Sequence, residues 1–414
     1  MSKICIITPA YIYGSPRVVK EADALWEAGH DVRVVFSSGN LEHLVEMDAA
    51  LVRQKPWRYN TVKWSPSRKE ERKTFVISGI RHNICKRLPY PGLCFGRLAE
   101  MSEGRVYHEL AALASSEPAD MYIGHYPVGL AAAWRAARRW KARLGYDAED
   151  LYADELLPRK RQRVIGLIEK RYLPDCSYVS TASELFTAEI KRRYSRIDPV
   201  TVHNVFSLSD RQKMDGMVKD RKGAGVSLYW YSQTIGEGRG IEDIVKAGLL
   251  LRDDVEIHLR GILSGEYRQK ITAMAEQNRC GGRLYMHAPV PPDALLSRAA
   301  EHDIGLALEQ PVSLSKELCV SNKIGLYYLA GIAVAATDLP GQRYALKDYP
   351  EAGFLYKPGD YRALARNINK LASDPQLLRN CKETALKAAY EKWNWETEKE
   401  KLIGSVIKVL DAGT

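Results

Sequence analysis

The sequence predicts an α/β protein with two doubly wound, Rossmann-like domains, each built on a parallel sheet. Short apolar runs alternate with stretches of helical periodicity along the chain. A polar, glycine-containing segment at 209–225 divides this pattern into two halves and is predicted to be a linker. At 414 residues, the chain is long enough to form two hydrophobic cores. Ligands of such folds bind at the carboxyl ends of the strands, so we expect a central cleft between the two halves.

The first half opens with a βαβ unit. Lys3 to Pro9 is a continuous apolar strand, typical of a buried parallel sheet. Ser15 followed by Pro16 is an N-cap with a proline at the first helical position, and Gly29 ends this helix. Asp31 to Phe36 is the next strand. The half, predicted as domain 1–208, continues with the strands Met121–Gly124, Ser177–Thr181 and Thr201–Val205 and the helix Val128–Arg143.

The second half, predicted as domain 226–392, repeats the alternation. It begins with the strand Val226–Ser232, the glycine-rich loop 236–240 and the helix Ile241–Leu251. Further strands are predicted at Glu256–Arg260, Leu284–His287, Ile304–Leu308 and Ala333–Thr337. The C-terminal segment 393–414 contains an amphipathic helix that we expect to pack back on the first half.

A short helix between Ser321 and Gly331 is a candidate anion site. Ser321 is its predicted N-cap, and the first backbone N–H groups of a helix are free to bind an anion. Lys323 in the first turn is mildly unfavourable beside the positive end of the helix dipole, so a bound anion would explain it. We predict that Ser321, Asn322 and Lys323 bind an anion, together with Arg239 and Gly240 of the glycine-rich loop 236–240.

Composition narrows the class of protein. The seven cysteines show no C-x-x-C spacing, so neither a disulfide framework nor a zinc site is predicted, and a reducing cytoplasm is the simplest location. No apolar run approaches the roughly 20 residues of a membrane span, and no signal peptide is predicted at the N-terminus.

The net charge of +10 is concentrated between residues 51 and 90. This segment has 11 Lys and Arg residues against two Glu, which leaves +9. Trp57, Trp64, Phe75 and Ile77 lie among the basic residues. This combination suits an anionic membrane surface at the inner face of the membrane, or an anionic lipid-linked acceptor; a solvated surface insertion is the alternative. Nucleic acid is not predicted, because no recognition motif accompanies the charge.

Four motifs, in order, resemble the GT4-like group of retaining glycosyltransferases with the GT-B fold. The residues at 7–35 resemble the acceptor-side opening of that family, and VHNVF at 202–206 resembles the end of its first domain. GEGRGIEDIVKA at 236–247 resembles the loop and helix in which a basic residue meets the donor diphosphate. SNKIGLYYLAGIAVAATDLPGQ at 321–342 resembles the donor-site signature.

The resemblance implies a site in which a sugar passes from a nucleoside diphosphate, UDP- or GDP-linked, to an acceptor hydroxyl. It implies catalytic positions at His125 and Glu309, and donor contacts from Gly14 and Glu317 in addition to those above. Arg260 and His287, at predicted strand ends, are candidates near the nucleotide base. Acceptor contacts are expected from Ser15, Arg17, Asp147 and Asp150, and the acceptor is a glycan, a lipid-linked molecule or a small molecule.

The implied reaction needs fixed positive charge at the leaving diphosphate. The chain has no D-x-D motif, so the usual metal route lacks its ligands, and no metal or other cofactor is predicted. We expect protein cations to serve instead, with the leaving phosphate taking the proton of the acceptor. The setting implied is bacterial polysaccharide or glycolipid assembly.

One departure from the family pattern is important. The family has a ribose-binding glutamate five residues before the helix-ending glycine, where this chain has Leu326. Glu309 and Glu317 keep the family's E-x7-E spacing, but nearer to the N-terminus, so Glu317 is the candidate replacement. A catalytically silent relative that binds a partner is therefore an alternative. A nicotinamide-dependent oxidoreductase is another, although the G-x-G-x-G loop departs from the dinucleotide pattern, and the fold alone also admits an epimerase.

Overall fold

The structure, a computed structural model, describes residues 1–412 and divides the chain into two compact units. Unit 1 comprises Met1–Val202 and the C-terminal segment from Lys399 onwards, and unit 2 comprises His203–Glu398. Both units are α/β.

The strands of residues 1–412 are β1 (Lys3–Ile7), β2 (Asp31–Ser38), β3 (Arg58–Lys63), β4 (Met121–His125), β5 (Arg143–Ala148), β6 (Tyr178–Thr181), β7 (Val200–Thr201), β8 (Ser227–Ile235), β9 (Glu256–Leu263), β10 (Leu284–His287), β11 (Ile304–Ala307), β12 (Ala333–Thr337) and β13 (Gly353–Tyr356).

The α-helices of the same residues are α1 (Pro16–Glu27), α2 (Glu42–Val52), α3 (Arg72–Arg87), α4 (Tyr90–Leu93), α5 (Leu98–Glu103), α6 (Tyr107–Ala114), α7 (Tyr126–Trp140), α8 (Arg159–Tyr172), α9 (Glu184–Arg193), α10 (Leu208–Gln212), α11 (Ile241–Ala247), α12 (Gly265–Gln277), α13 (Pro292–Ala300), α14 (Leu314–Leu318), α15 (Asn322–Ala330), α16 (Pro340–Leu346), α17 (Tyr361–Ser373), α18 (Pro375–Glu391) and α19 (Trp395–Asp411). Short 3₁₀ turns lie at Tyr152–Asp154, Leu173–Asp175, Gly281–Arg283 and Pro350–Ala352.

The two sheets confirm the predicted fold class. Unit 1 has a seven-stranded sheet in the order β3-β2-β1-β4-β5-β6-β7, and unit 2 has a six-stranded sheet in the order β10-β9-β8-β11-β12-β13. Every strand pair is parallel. The strand order reverses between β1 and β4 in unit 1 and between β8 and β11 in unit 2. Ligands of such sheets bind outside the carboxyl ends at these switch points.

The core of unit 2 covers both faces of its sheet. Leu228 and Trp230 of β8 point into one buried apolar cluster, while Tyr229 between them belongs to the cluster on the opposite face. This alternation follows from the two-residue period of a strand. Both faces are covered because each crossover helix packs against the sheet, which explains the continuous apolar runs in the sequence.

Several elements differ from the prediction. Helix α7 ends at Trp140, since Lys141 adopts a left-handed conformation (φ 54°) that reverses the chain into strand β5. The predicted helix Val128–Arg143 is therefore too long at its C-terminal end, where Arg143 is the first residue of β5. Strand β13, at the edge of the sheet in unit 2, was also not predicted. The expected strand at Thr201–Val205 is only the two-residue β7.

The segment 209–225, predicted as a linker, packs on unit 2. Arg298 binds the Asp215 carboxylate with an Nη2–Oδ1 distance of 2.6 Å. The backbone amides of Lys219 and Asp220 donate to Glu301 Oε2 at 2.8 and 2.7 Å. The chain crosses between the units instead at Val202–His203 and at Glu398–Lys399. Polar composition predicted a linker here, and the structure adds that its polar groups bind other polar groups of the same unit.

The basic segment 51–90 belongs to the fold of unit 1 and is not an added loop. It contains β3, which forms the edge of the sheet beside β2, and it also contains the 16-residue helix α3. Among residues 1–412, the helices are too short or too polar to cross a lipid bilayer.

Candidate functional site

The glycine-rich loop after β8 lies against the residues that follow β11. Gly240 has φ 76°, and a Cβ atom added to it would lie 2.1 Å from the carbonyl oxygen of Leu308 and 2.8 Å from Nε2 of Gln310. Only glycine permits both this conformation and this close approach. The loop is thereby placed beside Glu309, at the switch point of the sheet in unit 2.

Arg239 is an exposed cation in this loop. Its Nη1 donates to Ser232 Oγ at 2.8 Å, and its Nη2 donates to Thr234 Oγ1 at 3.3 Å. No carboxylate of residues 1–412 forms an ion pair with it. Two neutral hydroxyl groups therefore orient the guanidinium without neutralising it, and the charge remains available for an anion.

Glu309, Ser321 and Lys323 form a compact group at the start of α15. Glu309 Oε1 accepts from Lys323 Nζ at 2.6 Å and from Ser321 Oγ at 2.8 Å. Burial raises the pKa of the Glu309 carboxyl, but the Lys323 charge and the two hydrogen bonds outweigh burial, so the pKa is lowered overall. Glu309 Oε2 is buried and has no hydrogen-bond partner among the described residues. An ionised oxygen without a donor is costly, so this atom is suited to accept a hydrogen bond from a ligand hydroxyl.

The start of α15 has backbone donors without a side-chain cap. Ser321 has the extended conformation of an N-cap, but its hydroxyl binds Glu309 and makes no cap hydrogen bond. Asn322 is exposed at the first helical position. Lys323 is already paired with Glu309, so it contributes less net charge than the sequence predicted. Arg239 and the backbone amides are consequently the stronger anion-binding groups.

Leu326 lies in the core and cannot contact a ribose. It is fully buried and belongs to the apolar cluster that includes Ile324 and Tyr327. Glu317, on the short helix α14, is half-buried, and the structure describes no ion pair for it with residues 1–412. Glu317 therefore stays the candidate for the missing carboxylate.

In unit 1, Arg17 and Asp147 form a buried ion pair. Arg17 Nε donates to both Asp147 oxygens at 2.9 and 3.0 Å, and Ser180 Oγ adds a donor at 2.7 Å. Arg17 Nη1 also donates to the Val202 carbonyl at 2.6 Å. Burial opposes ionisation of Asp147, but the charges of Arg17 and His125 hold its pKa below the ordinary value. Both side chains were predicted to contact the acceptor, and the structure commits them to each other.

His125 ends β4 and is completely buried between two glutamates. Its Nε2 lies 2.6 Å from Glu21 Oε2, and its Nδ1 lies 3.1 Å from Glu149 Oε1. Burial lowers the pKa of the imidazole, but the Glu21 charge and the hydrogen bonds to both glutamates raise it to about 10. The raised pKa favours the protonated ring, and each of its nitrogens has a glutamate partner.

The residues around His125 fix the turn from β4 into α7. Tyr126 has φ 62°, which is uncommon for a bulky residue and is typical of backbone held in place by its surroundings. The carbonyl of Ile7 lies only 2.7 Å from the position of a Cβ on Gly129, so α7 approaches β1 closely. This turn carries His125 to the switch point of unit 1.

The remaining unit 1 positions are more loosely defined. Gly14 is exposed, and a Cβ there would make only an ordinary contact with the Tyr11 carbonyl. The Ser15 hydroxyl donates to that carbonyl at 2.9 Å and does not cap α1. Asp150 is half-buried after β5. Of the predicted acceptor groups, Asp150 is the one whose side chain is both ionisable and partly accessible.

Arg260 and His287 belong to a different polar network in unit 2. Arg260 donates to the Tyr229 hydroxyl at 3.1 Å and to the Ala288 carbonyl at 2.6 Å, and it pairs with Asp220. His287 Nε2 lies 2.9 Å from His258 Nδ1. Burial lowers the pKa of His287. These partners account for the polar contacts described here for both side chains.

Two clusters have the residue types of a metal site. Glu21, His125 and Asp147 place one ligand atom each within 4.8 Å of one another, as do Asp220, Glu301 and His302. In the first cluster, the raised pKa of His125 favours the protonated ring, whereas a metal needs the neutral ring. In the second, arginines already pair with both carboxylates. Internal ion pairing therefore explains both clusters.

The structure adds contacts that the sequence did not predict. Ser232, Thr234 and Gln310 shape the loop at Arg239, and Glu21 and Glu149 bind His125. Glu21 was detectable in principle, because it lies four residues after Arg17 on the buried face of α1. The others lack such a signal, since their roles depend on contacts between loops that are distant in sequence.

Comparison with known proteins finds one matching family domain and several structures with the same fold. Residues 14–205 match the glycosyl transferase 4-like domain. Sucrose-phosphate synthase from Thermosynechococcus elongatus is 14% identical with a TM-score of 0.72, covering 100% of both chains. HepE from Anabaena in complex with UDP is 15% identical with a TM-score of 0.71, covering 98% of this chain and 100% of its own.

A third structure, E. coli trehalose-6-phosphate bound with UDP-2-fluoro glucose, is 12% identical with a TM-score of 0.66, covering 99% of each chain. No curated protein sequence matches the chain. At these identities the structural likenesses show the fold, which is the GT-B fold. The family likeness is shown for residues 14–205, which match a glycosyl transferase 4-like domain.

Proposed function

We propose that the protein transfers a sugar, with retention of configuration, from a nucleoside-diphosphate sugar to an acceptor hydroxyl. The observation that carries the proposal is the unneutralised Arg239, held by two hydroxyls beside the Glu309–Lys323 pair. An oriented arginine and uncapped helix amides together form a site for a diphosphate. Structural neighbours with UDP bound, among them HepE and Staphylococcus aureus TarM, support a UDP-linked donor over a GDP-linked one.

The chemistry follows from where charge develops. As the bond from sugar to diphosphate breaks, negative charge grows on the leaving phosphate and positive charge grows on the sugar ring. Arg239 and the amides at Asn322 and Lys323 would stabilise the first of these charges. The free oxygen of Glu309 would accept a hydrogen bond from a sugar hydroxyl and fix the ring. The leaving phosphate would take the acceptor proton on the same face, so no protein nucleophile is required.

His125 has a positioning role in this proposal. Its two nitrogens are bound to Glu21 and Glu149, so it fixes the β4–α7 turn and does not exchange a proton with substrate. Asp150 is the residue of unit 1 that we propose for acceptor binding, together with backbone groups at Gly14 and Ser15. The acceptor would be a glycan, a lipid-linked molecule or a small molecule of polysaccharide or glycolipid assembly, and the enzyme would act in the cytoplasm, with no metal.

Thermal shift of the full chain with UDP, GDP, ADP and TDP tests the donor site. We expect UDP to raise the Tm most, and a profile in which no nucleotide stabilises the chain would contradict the proposal. Incubation with UDP-sugars and simple glycoside acceptors, with and without EDTA, then tests transfer, metal independence and the anomeric configuration of the product. Binding of UDP without any transfer would favour the alternative that Leu326 raises, a silent relative that binds a partner.

A further inference from the structure

An exposed apolar row lies along helix α3 of unit 1. Val76, Ile77, Ile80 and Ile84 are 48%, 46%, 57% and 58% exposed. Their spacing places all four on one side of the helix. Single exposed aliphatic residues are common on protein surfaces. A contiguous row of exposed β-branched side chains instead indicates a surface that binds a membrane or another molecule.

The opposite side of α3 is firmly attached to unit 1. Phe75 stacks on Trp64 at a centroid distance of 6.2 Å, and the Arg105 guanidinium lies 4.1 Å from the Phe75 ring. Further along the helix, Arg81 pairs with Glu109 at 2.6 Å. Because these contacts fix the orientation of α3, its aliphatic row cannot turn inward. Trp57, which the sequence associated with a membrane surface, is buried and donates to Asp23.

The row is surrounded by positive charge from two segments. Residues 72–97 contain six Lys and Arg residues and residues 156–163 contain four, and neither segment contains Asp or Glu. Arg81 is paired with Glu109 and Arg161 with Glu103, and the other eight supply the positive charge. The segments are joined where Lys160 Nζ donates to the Lys86 carbonyl at 2.6 Å. Each segment also has one strongly exposed apolar side chain, Phe95 at 72% and Leu156 at 70%. We call the exposed face of α3 with residues 88–97 and 156–163 the α3 surface.

We propose that the α3 surface binds the interface of an anionic lipid bilayer, with the aliphatic row inserted among the headgroups. A helix in an interface combines apolar and basic side chains in this way. A second copy of the chain fits less well, because it would bring two strongly positive surfaces together. The proposal extends the acceptor part of the proposed function toward a lipid-linked acceptor. It also changes the surface predicted from residues 51–90, since Trp57 is buried, the aliphatic row of α3 faces outward, and the start of α8 contributes.

Co-sedimentation of the full chain with phosphatidylcholine vesicles, with and without 30% phosphatidylglycerol, tests the proposal. We expect binding to the anionic vesicles that falls as salt rises from 50 to 300 mM. The variant Ile80→Glu/Ile84→Glu should bind at least about tenfold more weakly. The variant Lys73→Gln/Arg87→Gln should bind more weakly by about fivefold for each charge removed. Leu249→Glu/Leu250→Glu, which changes two exposed leucines of unit 2, is the matched control and should bind as wild type.

Equal binding to neutral vesicles, or binding that neither variant weakens, would overturn the proposal. Light scattering gives an independent check: a wild-type dimer that Ile80→Glu/Ile84→Glu converts to a monomer would assign the surface to a second copy. UDP thermal shift of the same variant should match wild type. If UDP does not raise the Tm of the wild-type chain, the donor site is refuted, but the vesicle result still stands. The failure of the proposed function and the failure of the membrane proposal are therefore distinguishable.

Discussion

Glu309 and Lys323 share one short ion pair in unit 2, with 2.6 Å between Nζ and Oε1 and with Oε2 of the glutamate buried and unpaired. The pair joins the end of β11 to the first turn of α15. The Glu309 carboxylate reduces the net positive charge at the start of α15. Its second oxygen, Oε2, is a hydrogen-bond acceptor beside that helix start. One side chain thus connects the anion-binding end of α15 with a candidate contact to the sugar.

Glu309→Gln should separate these two roles. The amide keeps the size of the side chain but removes its charge, so Lys323 becomes an unpaired cation and the acceptor at Oε2 is lost or weakened. We expect kcat to fall by about 100-fold or more, since acceptors placed for the transition state are worth this much, while the affinity for UDP is retained or improved. Steady-state kinetics with a UDP-sugar and calorimetry with UDP measure the two effects. A proportional loss in both quantities would assign Glu309 a merely structural role.

Arg239→Ala should weaken UDP binding by about tenfold or more, because a charged hydrogen bond contributes about 1.5–3 kcal/mol. The folded state should be unaffected, since Arg239 is exposed and contacts only two hydroxyls. Arg366→Ala, at another exposed arginine of unit 2, is the control. Calorimetric titration with UDP decides the outcome, and unchanged affinity in Arg239→Ala would remove this residue from the site.

Much of the fold could be predicted because its signals are local. The apolar run of β1, the Ser15–Pro16 helix start and the left-handed Gly331 after α15 each depend on a few neighbouring residues. The end of α7 could not be predicted, since Lys141 adopts a glycine-like conformation without glycine. The contacts of the segment 209–225 could not be predicted either, because composition does not reveal that Glu301 and Arg298 supply its partners.

The site was predictable where the chain itself brings groups together. Ser321 and Lys323 lie two residues apart at one helix start, so their common partner Glu309 was within reach of sequence reasoning. The partner of Arg260 could not be predicted, because a strand-end position does not show which face the side chain takes, and Asp220 binds it there. Partners such as Asp147 for Arg17 depend on sheet order, which a single sequence does not provide.

Glu317→Ala tests whether this carboxylate replaces the one lost at Leu326. If Glu317 accepts a ribose hydroxyl, the variant should bind UDP about tenfold more weakly, since one hydrogen bond to a charged group is lost, with an unchanged Tm. Glu383→Ala, at an exposed glutamate of α18, is the control. Equal UDP affinity in both variants would exclude Glu317 from donor binding. The Kd for UDP should be compared with the Kd for inorganic pyrophosphate, which has no ribose. A ribose contact affects only the Kd for UDP.

Leu326→Glu should destabilise unit 2 and should not improve UDP binding. Leu326 is completely buried among apolar side chains, and a carboxylate there would lose its hydration without gaining a partner. We expect the free energy of unfolding to fall by about 3 kcal/mol or more, within the range for severe core substitutions. Urea denaturation measures the loss, with the volume-conserving Leu326→Met as the control. A stable variant with tighter UDP binding would show that the residue can reach the ribose.

The Arg17–Asp147 pair should govern the stability of unit 1. Arg17→Met leaves Asp147 ionised in a buried environment, and breaking such a pair costs about 3–5 kcal/mol. Arg17→Met/Asp147→Leu removes both charges and should recover part of that loss. Denaturation of the single and double variants gives the coupling energy. If both variants are as stable as wild type but fail to bind acceptor, the predicted acceptor role of Arg17 would be restored.

The stability contributed by His125 should depend on pH. The pKa of its imidazole rises from an unfolded value near 6.5 to about 10 in the folded chain, because the Glu21 charge and the two hydrogen bonds outweigh burial. A group whose pKa is raised by folding stabilises the fold fully below its unfolded pKa and loses that effect as pH rises through its folded pKa. Wild type should therefore exceed His125→Gln in unfolding free energy most at pH 6, and the difference should shrink between pH 7 and 10. Urea denaturation across this range measures it, and a difference that stays constant would mean that His125 is neutral and that its role is packing alone.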